Sequence, residues 1–306
     1  MKLGYIGLGK MGLNMVLRMQ EKGHEVFAYN RSAEGRSHAK EKGIEAHGSL
    51  KDVVSKLERP RTLWLMVSQD GVDAVLADLL PLLSPGDLLI DGGNCFYRDT
   101  MRRAAALAKR KIRFMDIGVS GGPGGARSGA CLMVGGDKKE YQALVPLLRD
   151  LSVPGGFAYF GKSGAGHFVK MVHNGIEYGM MQALGEGFGI LKKSPFDLDL
   201  TEISRLYNHG SVIESRLVRW LESGFKAYGE ELEAISGKVN YTGEGEWTVK
   251  TAKALHVPAP IIEASLKFRV ASQTKPSYIG KILSTLRNQF GQHQVSEKLK
   301  AKNVKR

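Results

Sequence analysis

The stretch KLGYIGLGKMG, residues 2–12, decides the fold of this 306-residue chain. Its first five residues read as a short buried strand, and the apolar residues that follow recur at helical spacing. Between strand and helix stand Gly7, Gly9 and Gly12, in the spacing G-x-G-x-x-G. Glycine loops are common, but one at the first strand–helix turn allows a pyrophosphate to approach the amino end of the helix. The stretch therefore predicts a dinucleotide-binding turn.

The first half of the chain continues this alternation of strand and helix. Apolar strands are predicted at 24–30 (HEVFAYN), 62–68 (TLWLMVS) and 87–93 (DLLIDGG), and others follow up to Gly161. Such strands alternating with helices are typical of a parallel sheet covered on both faces. After Gly161 only helical periodicity remains. The predicted fold class is α/β plus all-α: a Rossmann-type doubly wound sheet over residues 1–162, then an all-helical domain over residues 163–306.

Composition excludes several classes of protein. A hydrophobic fraction of 42% and a charged fraction of 25% are typical of an ordinary globular chain. No apolar run reaches membrane-spanning length, and glycines interrupt the N-terminus too early for a signal peptide. Cys95 and Cys131 have neither a disulfide pattern nor metal-ligand spacing, so we expect a reducing cytoplasm and no metal.

The net charge of +13 permits a nucleic-acid reading. No basic stripe interleaved with aromatic residues supports it, however, and the same charge suits a protein that binds phosphorylated or carboxylated small molecules. We therefore expect neither a nucleic acid nor a membrane as partner.

The end of the second strand indicates which dinucleotide is bound. An NAD enzyme usually has an acidic residue here, whereas an arginine accommodates the 2′-phosphate of NADP. This chain has Asn30, Arg31 and Ser32 and no acid, so NADP is predicted, with NAD as second choice; the alternative is that Arg31 only caps a loop. The predicted cofactor residues are Gly7, Gly9, Lys10, Met11, Gly12, Asn30, Arg31, Ser32, Val67 and Asn94.

Two further glycine-rich stretches, DGGNCFYRDT at 91–100 and GVSGGPGGARSG at 118–129, follow predicted strands. Either could be a turn without a role. Ligands of open α/β sheets bind beyond the carboxyl ends of the strands, however, and this location favours function. Asn94 and the loop of Ser120, Gly121 and Gly122 are therefore candidate ligand-binding residues.

A polar stripe marks the stretch KMVHNGIEYGMM, residues 170–181. Lys170, His173, Asn174 and Glu177 stand at i, i+3, i+4 and i+7, which places them on one helical face. Most such stripes are solvated faces. Here the surrounding residues are glycine, methionine and other apolar types, which predicts a largely buried helix and a reason for the charges.

Taken in order, GLGKMGLNM, NRS, DGGNCFYRDT, GVSGG and GAGHFVKMVHNGIEYGMMQ resemble the signatures of decarboxylating 6-phosphogluconate dehydrogenase, in the β-hydroxyacid dehydrogenase superfamily. The chain is similar to the short form, clearly so up to about residue 190. The resemblance implies oxidative decarboxylation of 6-phosphogluconate to ribulose 5-phosphate and CO2, with reduction of NADP, in the pentose phosphate pathway. It implies that Lys170 is the base and then the acid at the oxidised carbon, and that Glu177 protonates the enediol.

The resemblance also implies a substrate site and an assembly. Its cations would be Arg269 together with Arg287 and His293 from a partner subunit's tail, in a homodimer or homotetramer with shared active sites. Thr242 stands where long members have a phosphate-binding lysine, which departs from the family pattern. The implied substrate-binding residues are Asn94, Ser120, Gly121, Gly122, His173, Asn174, Tyr178, Arg269, Arg287 and His293.

Two other functions remain open on sequence. One is a non-decarboxylating β-hydroxyacid dehydrogenase of the 3-hydroxyisobutyrate type, which needs no acid for an enediol; Glu177 and His173 speak against it. The other is a non-catalytic NADP-binding sensor, which needs neither Lys170 nor Glu177.

Overall fold

The computed structural model describes residues 1–295, and these form two compact units, Met1–Met171 and the chain from Val172 onward. The boundary predicted at residue 162 precedes the helix Ala165–Lys192, whereas the compact units divide within that helix. Within residues 1–295, no helix combines the length and the apolar character that crossing a membrane requires.

The first unit is a sheet with helices on both faces. Its strands are β1 (Lys2–Ile6), β2 (Glu25–Tyr29), β3 (Ala46–His47), β4 (Thr62–Leu65), β5 (Leu88–Asp91), β6 (Arg113–Ser120), β7 (Ala130–Gly136) and β8 (Ser152–Gly161). Its helices are α1 (Lys10–Glu21), α2 (Ala33–Glu41), α3 (Leu50–Ser55), α4 (Gln69–Leu79), α5 (Tyr97–Ala108), α6 (Gly122–Ser128) and α7 (Lys138–Leu151), with a 3-10 turn at Leu80–Leu82.

The strand order β3-β2-β1-β4-β5-β6-β7-β8 confirms the predicted Rossmann-type sheet. Side chains alternate across it: Leu3 and Tyr5 enter the core on one face, and Ile6 enters the core on the other. Each core is lined by helices, so the central strands are buried on both faces and read as continuous apolar runs.

One part of the sheet differs from the all-parallel expectation. β6 and β7 pair antiparallel, with Ser120 opposite Cys131. The link between them holds only the seven-residue α6, and a parallel crossover needs a dozen residues or more. β8 then pairs parallel to β7.

The second unit is helical, which confirms the all-α expectation. It contains most of α8 (Ala165–Lys192), followed by α9 (Leu200–Tyr207), α10 (Arg216–Tyr228), α11 (Glu244–Ala254), α12 (Pro260–Ser272) and α13 (Tyr278–Gly291). Its core gathers apolar side chains of α8, α10 and α13, among them Phe188, Phe225 and Leu283.

Candidate active site

The turn between β1 and α1 has the geometry that a pyrophosphate requires. Gly7 has φ +102°, and a Cβ there would lie 2.4 Å from the carbonyl oxygen of Met66. A Cβ at Gly12 would lie 2.0 Å from the Gly7 oxygen, whereas one at Gly9 would meet nothing within 4 Å. No side chain caps the start of α1, so backbone N–H groups face the open side of the turn at Gly9. These residues fit a dinucleotide.

The remaining predicted residues of this turn lie around it. Lys10 begins α1 and is exposed, whereas Met11 packs against the core. Val67, just after β4, has its Cγ1 about 3.0 Å from a Cβ built at Gly7.

The loop after β2 is held by its own hydrogen bonds. Asn30 Oδ1 accepts from the Leu8 N–H at 3.1 Å, and Ser32 Oγ accepts from the Gly35 N–H at 3.1 Å as the N-cap of α2. Arg36 Nη1 donates to the carbonyl oxygens of Asn30 and Arg31, at 3.0 and 2.9 Å. Asn30 and Ser32 thus shape the loop, and the exposed Arg31 guanidinium is displayed on it.

The loops after β5 and β6 lie at the carboxyl ends of neighbouring strands, as predicted. Asn94 is exposed on the first loop. Ser120 ends β6 and is half-buried; Gly121 and Gly122 follow with φ +129° and +64°. A turn of this backbone shape favours glycine at both positions.

Asp116 on β6 fixes the first turn of α8. Its Oδ1 accepts from the Gly164 N–H at 2.7 Å, and its Oδ2 accepts from the His167 N–H at 2.9 Å. The first N–H groups of a helix have no partner inside the helix, and a negative charge there also complements the helix dipole. The helix is therefore anchored to the sheet one turn before Lys170.

Lys170 lies against the backbone of β6. A Cβ at Gly118 would be 2.4 Å from the Lys170 Cβ, so only glycine lets the helix approach so closely. Lys170 is 9% exposed. Packing along its apolar stem fixes the position of the Lys170 side chain.

Further along α8, the polar stripe makes a connected set. His173 Nδ1 lies 2.9 Å from Asn174 Oδ1 and 3.9 Å from Glu177 Oε2. Asn174 Nδ2 donates to Glu244 Oε1, at 3.4 Å, on α11. The Glu177 side chain is 25% exposed, so it is available to a ligand while it is held by its neighbours.

A buried cationic cluster lies beside this stripe in the second unit. The Arg269 guanidinium stacks 3.4 Å from the centroid of the Tyr178 ring. Arg287 interacts electrostatically with Tyr178, Glu177 and Glu244, and so does Arg269. Tyr178, Arg269 and Arg287 are 5%, 1% and 7% exposed.

Burial governs the electrostatics of this cluster. Burial lowers the pKa of Arg269 to about 10; the neighbouring charge of Arg287 also lowers this pKa, whereas Tyr178 raises it. Burial likewise lowers the pKa of Arg287. Arg269 therefore remains charged near neutrality, and burial destabilises the charged form of both guanidinium groups. Burial raises the pKa of Tyr178, so its hydroxyl stays protonated. A doubly negative ligand would relieve the two buried positive charges.

The position of Arg287 corrects one expectation. It lies on α13 of the same chain and interacts with Tyr178 of that chain, so it does not need to enter from a partner subunit. His293 follows α13, with its ring 6.2 Å from that of Phe290. Thr242, which stands where the family pattern implied a lysine, forms a backbone hydrogen bond with the Tyr178 side chain.

Three functional candidates were missed by the sequence reasoning: Arg36, Asp116 and Glu244. Arg36 lies on α2 and contacts the loop after β2, and Asp116 lies on β6 and contacts the start of α8. No local sequence pattern predicts either contact. Glu244 lies in the stretch NYTGEGEW and begins α11. An acidic residue in the first turn is a pattern by which a helix start can be recognised in a sequence. That signal indicates a helix start, and only the structure places Glu244 beside Asn174.

A fourth group lies inside the first unit. Asp91, Cys95 and His167 bring three potential metal-ligand atoms within 4.8 Å of one another, all buried. The sequence spacing had pointed to no such cluster, because the three residues come from β5, the following loop and α8.

Comparison with known proteins agrees with this arrangement. The NAD-binding domain model of 6-phosphogluconate dehydrogenase matches residues 2–161, and the C-terminal domain model of the same enzyme matches residues 166–305. These matches, together with the strand order and the glycine turn, define an NAD(P)-binding domain followed by the helical domain of a 6-phosphogluconate dehydrogenase. The chain belongs to the 6-phosphogluconate dehydrogenase family.

Individual relatives show how far the similarity extends. YqeC of Bacillus subtilis, provisionally named a 6-phosphogluconate dehydrogenase, is 45% identical over 97% of this chain and 100% of its own. The NAD(+)-dependent, decarboxylating enzyme of Haloferax volcanii is 41% identical over 97% of this chain and 99% of its own. The Plasmodium falciparum enzyme, solved with NADP+ and with 6-phosphogluconate, has a TM-score of 0.81 at 30% identity; this chain covers 62% of it, and 90% of this chain is covered.

Proposed function

We propose that this protein oxidises and decarboxylates 6-phosphogluconate to ribulose 5-phosphate and CO2. The observation that carries the proposal is the stripe of Lys170, His173, Asn174 and Glu177 along one face of α8, with Glu177 in electrostatic contact with the buried arginines. A relative that matches over 99% of its own length is named for this activity. The direct test is turnover of 6-phosphogluconate with NADP, compared with 3-hydroxyisobutyrate. Preference for the second substrate would favour the simpler dehydrogenase.

Each residue of the stripe has a role in this mechanism, either in proton transfer or in holding the substrate. Lys170 accepts the proton of the 3-hydroxyl; a dinucleotide held at the turn of Gly7–Gly12 would supply the hydride acceptor that this oxidation requires. The 3-keto acid then loses CO2, and Lys170 returns its proton to the carbonyl oxygen, which gives an enediol. Glu177 protonates carbon 1 of the enediol. Asn94, Ser120, the backbone of Gly121 and Gly122, His173 and Asn174 hold the carboxylate and hydroxyls.

The phosphate of the substrate is assigned to Tyr178, Arg269 and Arg287, with His293 as a further candidate. We expect Arg269→Met to raise KM for 6-phosphogluconate by roughly 10- to 100-fold, since a hydrogen bond to a charged group contributes about 1.5–3 kcal/mol and 1.4 kcal/mol is tenfold. Steady-state kinetics with 6-phosphogluconate and with unphosphorylated gluconate check this.

Lys267→Met is the matched control, because it removes an exposed cation from the same helix. It should leave both substrates unaffected. An equal loss with gluconate in Arg269→Met would contradict the phosphate assignment, since gluconate has no phosphate to lose contact with.

NADP is proposed as the preferred cofactor. The relatives divide on this point, with an NAD(+)-dependent enzyme in Haloferax volcanii and an NADP+ complex in Plasmodium falciparum. The support in this chain is the exposed Arg31 on a loop that Arg36 braces, with no acid at the end of β2.

Arg31→Ala should lower the NADP/NAD ratio of kcat/KM by roughly 10- to 100-fold, because the fork of the guanidinium binds phosphate through two hydrogen bonds. Kinetics with both cofactors measure the ratio. Lys42→Ala removes an exposed charge at the far end of α2 and should leave it unchanged. An unaltered ratio in Arg31→Ala would assign selectivity elsewhere.

Assembly into a homodimer or homotetramer is also part of the proposal. Ile176 and Met180, one turn apart on α8, are 53% and 45% exposed, and Ile261 beside Gly179 is 67% exposed. The sequence predicted this helix to be largely buried, and a second copy of the chain would cover such an apolar patch.

A further inference from the structure

The cluster of Asp91, Cys95 and His167 lies at the meeting point of the loop that carries Asn94 and the helix that carries Lys170. The three side chains are 0%, 2% and 1% exposed. Neither Asn94 nor Lys170 belongs to the cluster, but Asn94 directly precedes Cys95 and Lys170 follows His167 by one helical turn.

His167 connects α8 to α5. Its Nδ1 lies 2.8 Å from Thr100 Oγ1, and that hydroxyl also lies 3.3 Å from the carbonyl oxygen of Phe96, the N-cap of α5. The other ring nitrogen, Nε2, is buried, and a ring nitrogen of His167 lies within 4.8 Å of the Cys95 sulfur and an Asp91 carboxylate oxygen. The imidazole is thereby fixed on one side and directed into the cluster on the other.

Asp91 and Cys95 close the loop from the opposite side. Asp91 Oδ1 accepts from the Gly93 N–H at 3.0 Å, and the Cys95 thiol is hydrogen-bonded to the Asp91 side chain. Hydrogen bonds from Gly93 and Cys95, on either side of Asn94, therefore hold this loop against Asp91 at the end of β5. With Asp116 holding the first turn of α8, the helix has two anchors just before Lys170.

A metal ion is the other interpretation of these three residues, and one observation disfavours it. The Arg103 guanidinium, 3% exposed, interacts with the Cys95 side chain electrostatically and by hydrogen bonding. A cation therefore already lies beside the cluster.

We infer that Asp91, Cys95, His167 and Thr100 form a buried junction that positions Lys170 relative to Asn94 for hydride transfer. The inference rests on the proposed function. Loss of the junction displaces the reacting groups without touching the glycine turn that binds the dinucleotide. A displacement of about 1 Å at a catalytic group can cost about a hundredfold in rate.

The test compares Cys95→Ala with Cys95→Ser, since serine keeps a hydrogen-bond donor. We express kcat per site that binds NADPH, so that unfolded protein is not counted. Cys95→Ala should lower this kcat by about 10- to 100-fold, and KM for NADP should be unchanged. The deuterium isotope effect on kcat, measured with substrate deuterated at carbon 3, should rise because hydride transfer becomes slower than other steps. Cys95→Ser should remain within about threefold of the unaltered protein.

Two results would overturn the inference. One is that Cys95→Ala leaves both the isotope effect and kcat, expressed per site that binds NADPH, unchanged. The junction would then have only a structural role. The other is one zinc or other transition-metal ion per chain that resists chelation and disappears in Cys95→Ala, since the residues would then be ligands.

Hydrogen exchange tests the same inference without turnover. Cys95→Ala should accelerate exchange about tenfold in residues 91–95 and 164–170, while exchange in Cys95→Ser stays slow. Unchanged exchange in Cys95→Ala would contradict the junction. Absence of 6-phosphogluconate turnover in the unaltered protein would instead contradict the proposed function, so the two failures are distinguishable.

Discussion

Lys170→Met should reduce the rate of NADP reduction by 6-phosphogluconate at least about a thousandfold. Removal of a general base typically costs about a hundred- to ten-thousandfold, and this one group serves both the proton abstraction and the later proton return. Methionine retains the apolar stem that packs over Gly118, so α8 should keep its position. Stopped-flow absorbance of the reduced nicotinamide measures the loss.

Binding measurements separate chemistry from folding in this variant. NADP affinity, which depends on the turn at Gly7–Gly12, should be unchanged. Lys192→Met removes the same charge from the last residue of α8 and should leave the rate unaffected. A Lys170→Met rate within tenfold of that of the unaltered protein would show that another group accepts the proton.

Glu177→Gln should lower overall turnover by about a hundred- to ten-thousandfold while hydride transfer is much less affected. Glutamine keeps the size and hydrogen-bonding capacity of the side chain but has no acidic proton for carbon 1 of the enediol. A single-turnover experiment should therefore show a near-normal burst of NADPH followed by slow appearance of ribulose 5-phosphate. The contrast with Lys170→Met, in which the burst itself disappears, assigns the two residues to different steps.

Glu186→Gln is the matched control for that variant. It lies on the same helix and is exposed, and its carboxylate accepts from Gln182 at 2.8 Å. Its turnover should be normal. Normal turnover in Glu177→Gln itself would make the stripe structural at that position and would favour a non-decarboxylating dehydrogenase.

The features that the sequence predicted correctly are those that repeat locally. The glycine turn, the apolar strands and the polar stripe on α8 each depend on spacing within a few residues, and spacing is visible in the chain. The antiparallel β6–β7 pair differs from the expectation because the link between these strands is too short for a parallel crossover, and its glycine-rich letters suggested a ligand-binding loop instead.

The rest of the candidate site depends on contacts between residues distant in sequence. Asp116 meets His167 across about fifty residues, and Asn174 meets Glu244 across seventy. Arg287 was placed in a partner subunit by family resemblance, whereas α13 folds back so that Arg287 reaches Tyr178 in its own chain. Only the tertiary structure fixes such pairings.

The central claim is that one site both oxidises and decarboxylates a phosphorylated sugar acid. Its most direct test is to supply 6-phosphogluconate labelled with 14C at carbon 1, together with NADP, and to measure NADPH and released CO2 in the same reaction. We expect one labelled CO2 for each NADPH, with ribulose 5-phosphate as the other product. NADPH formation without release of the label would contradict the account.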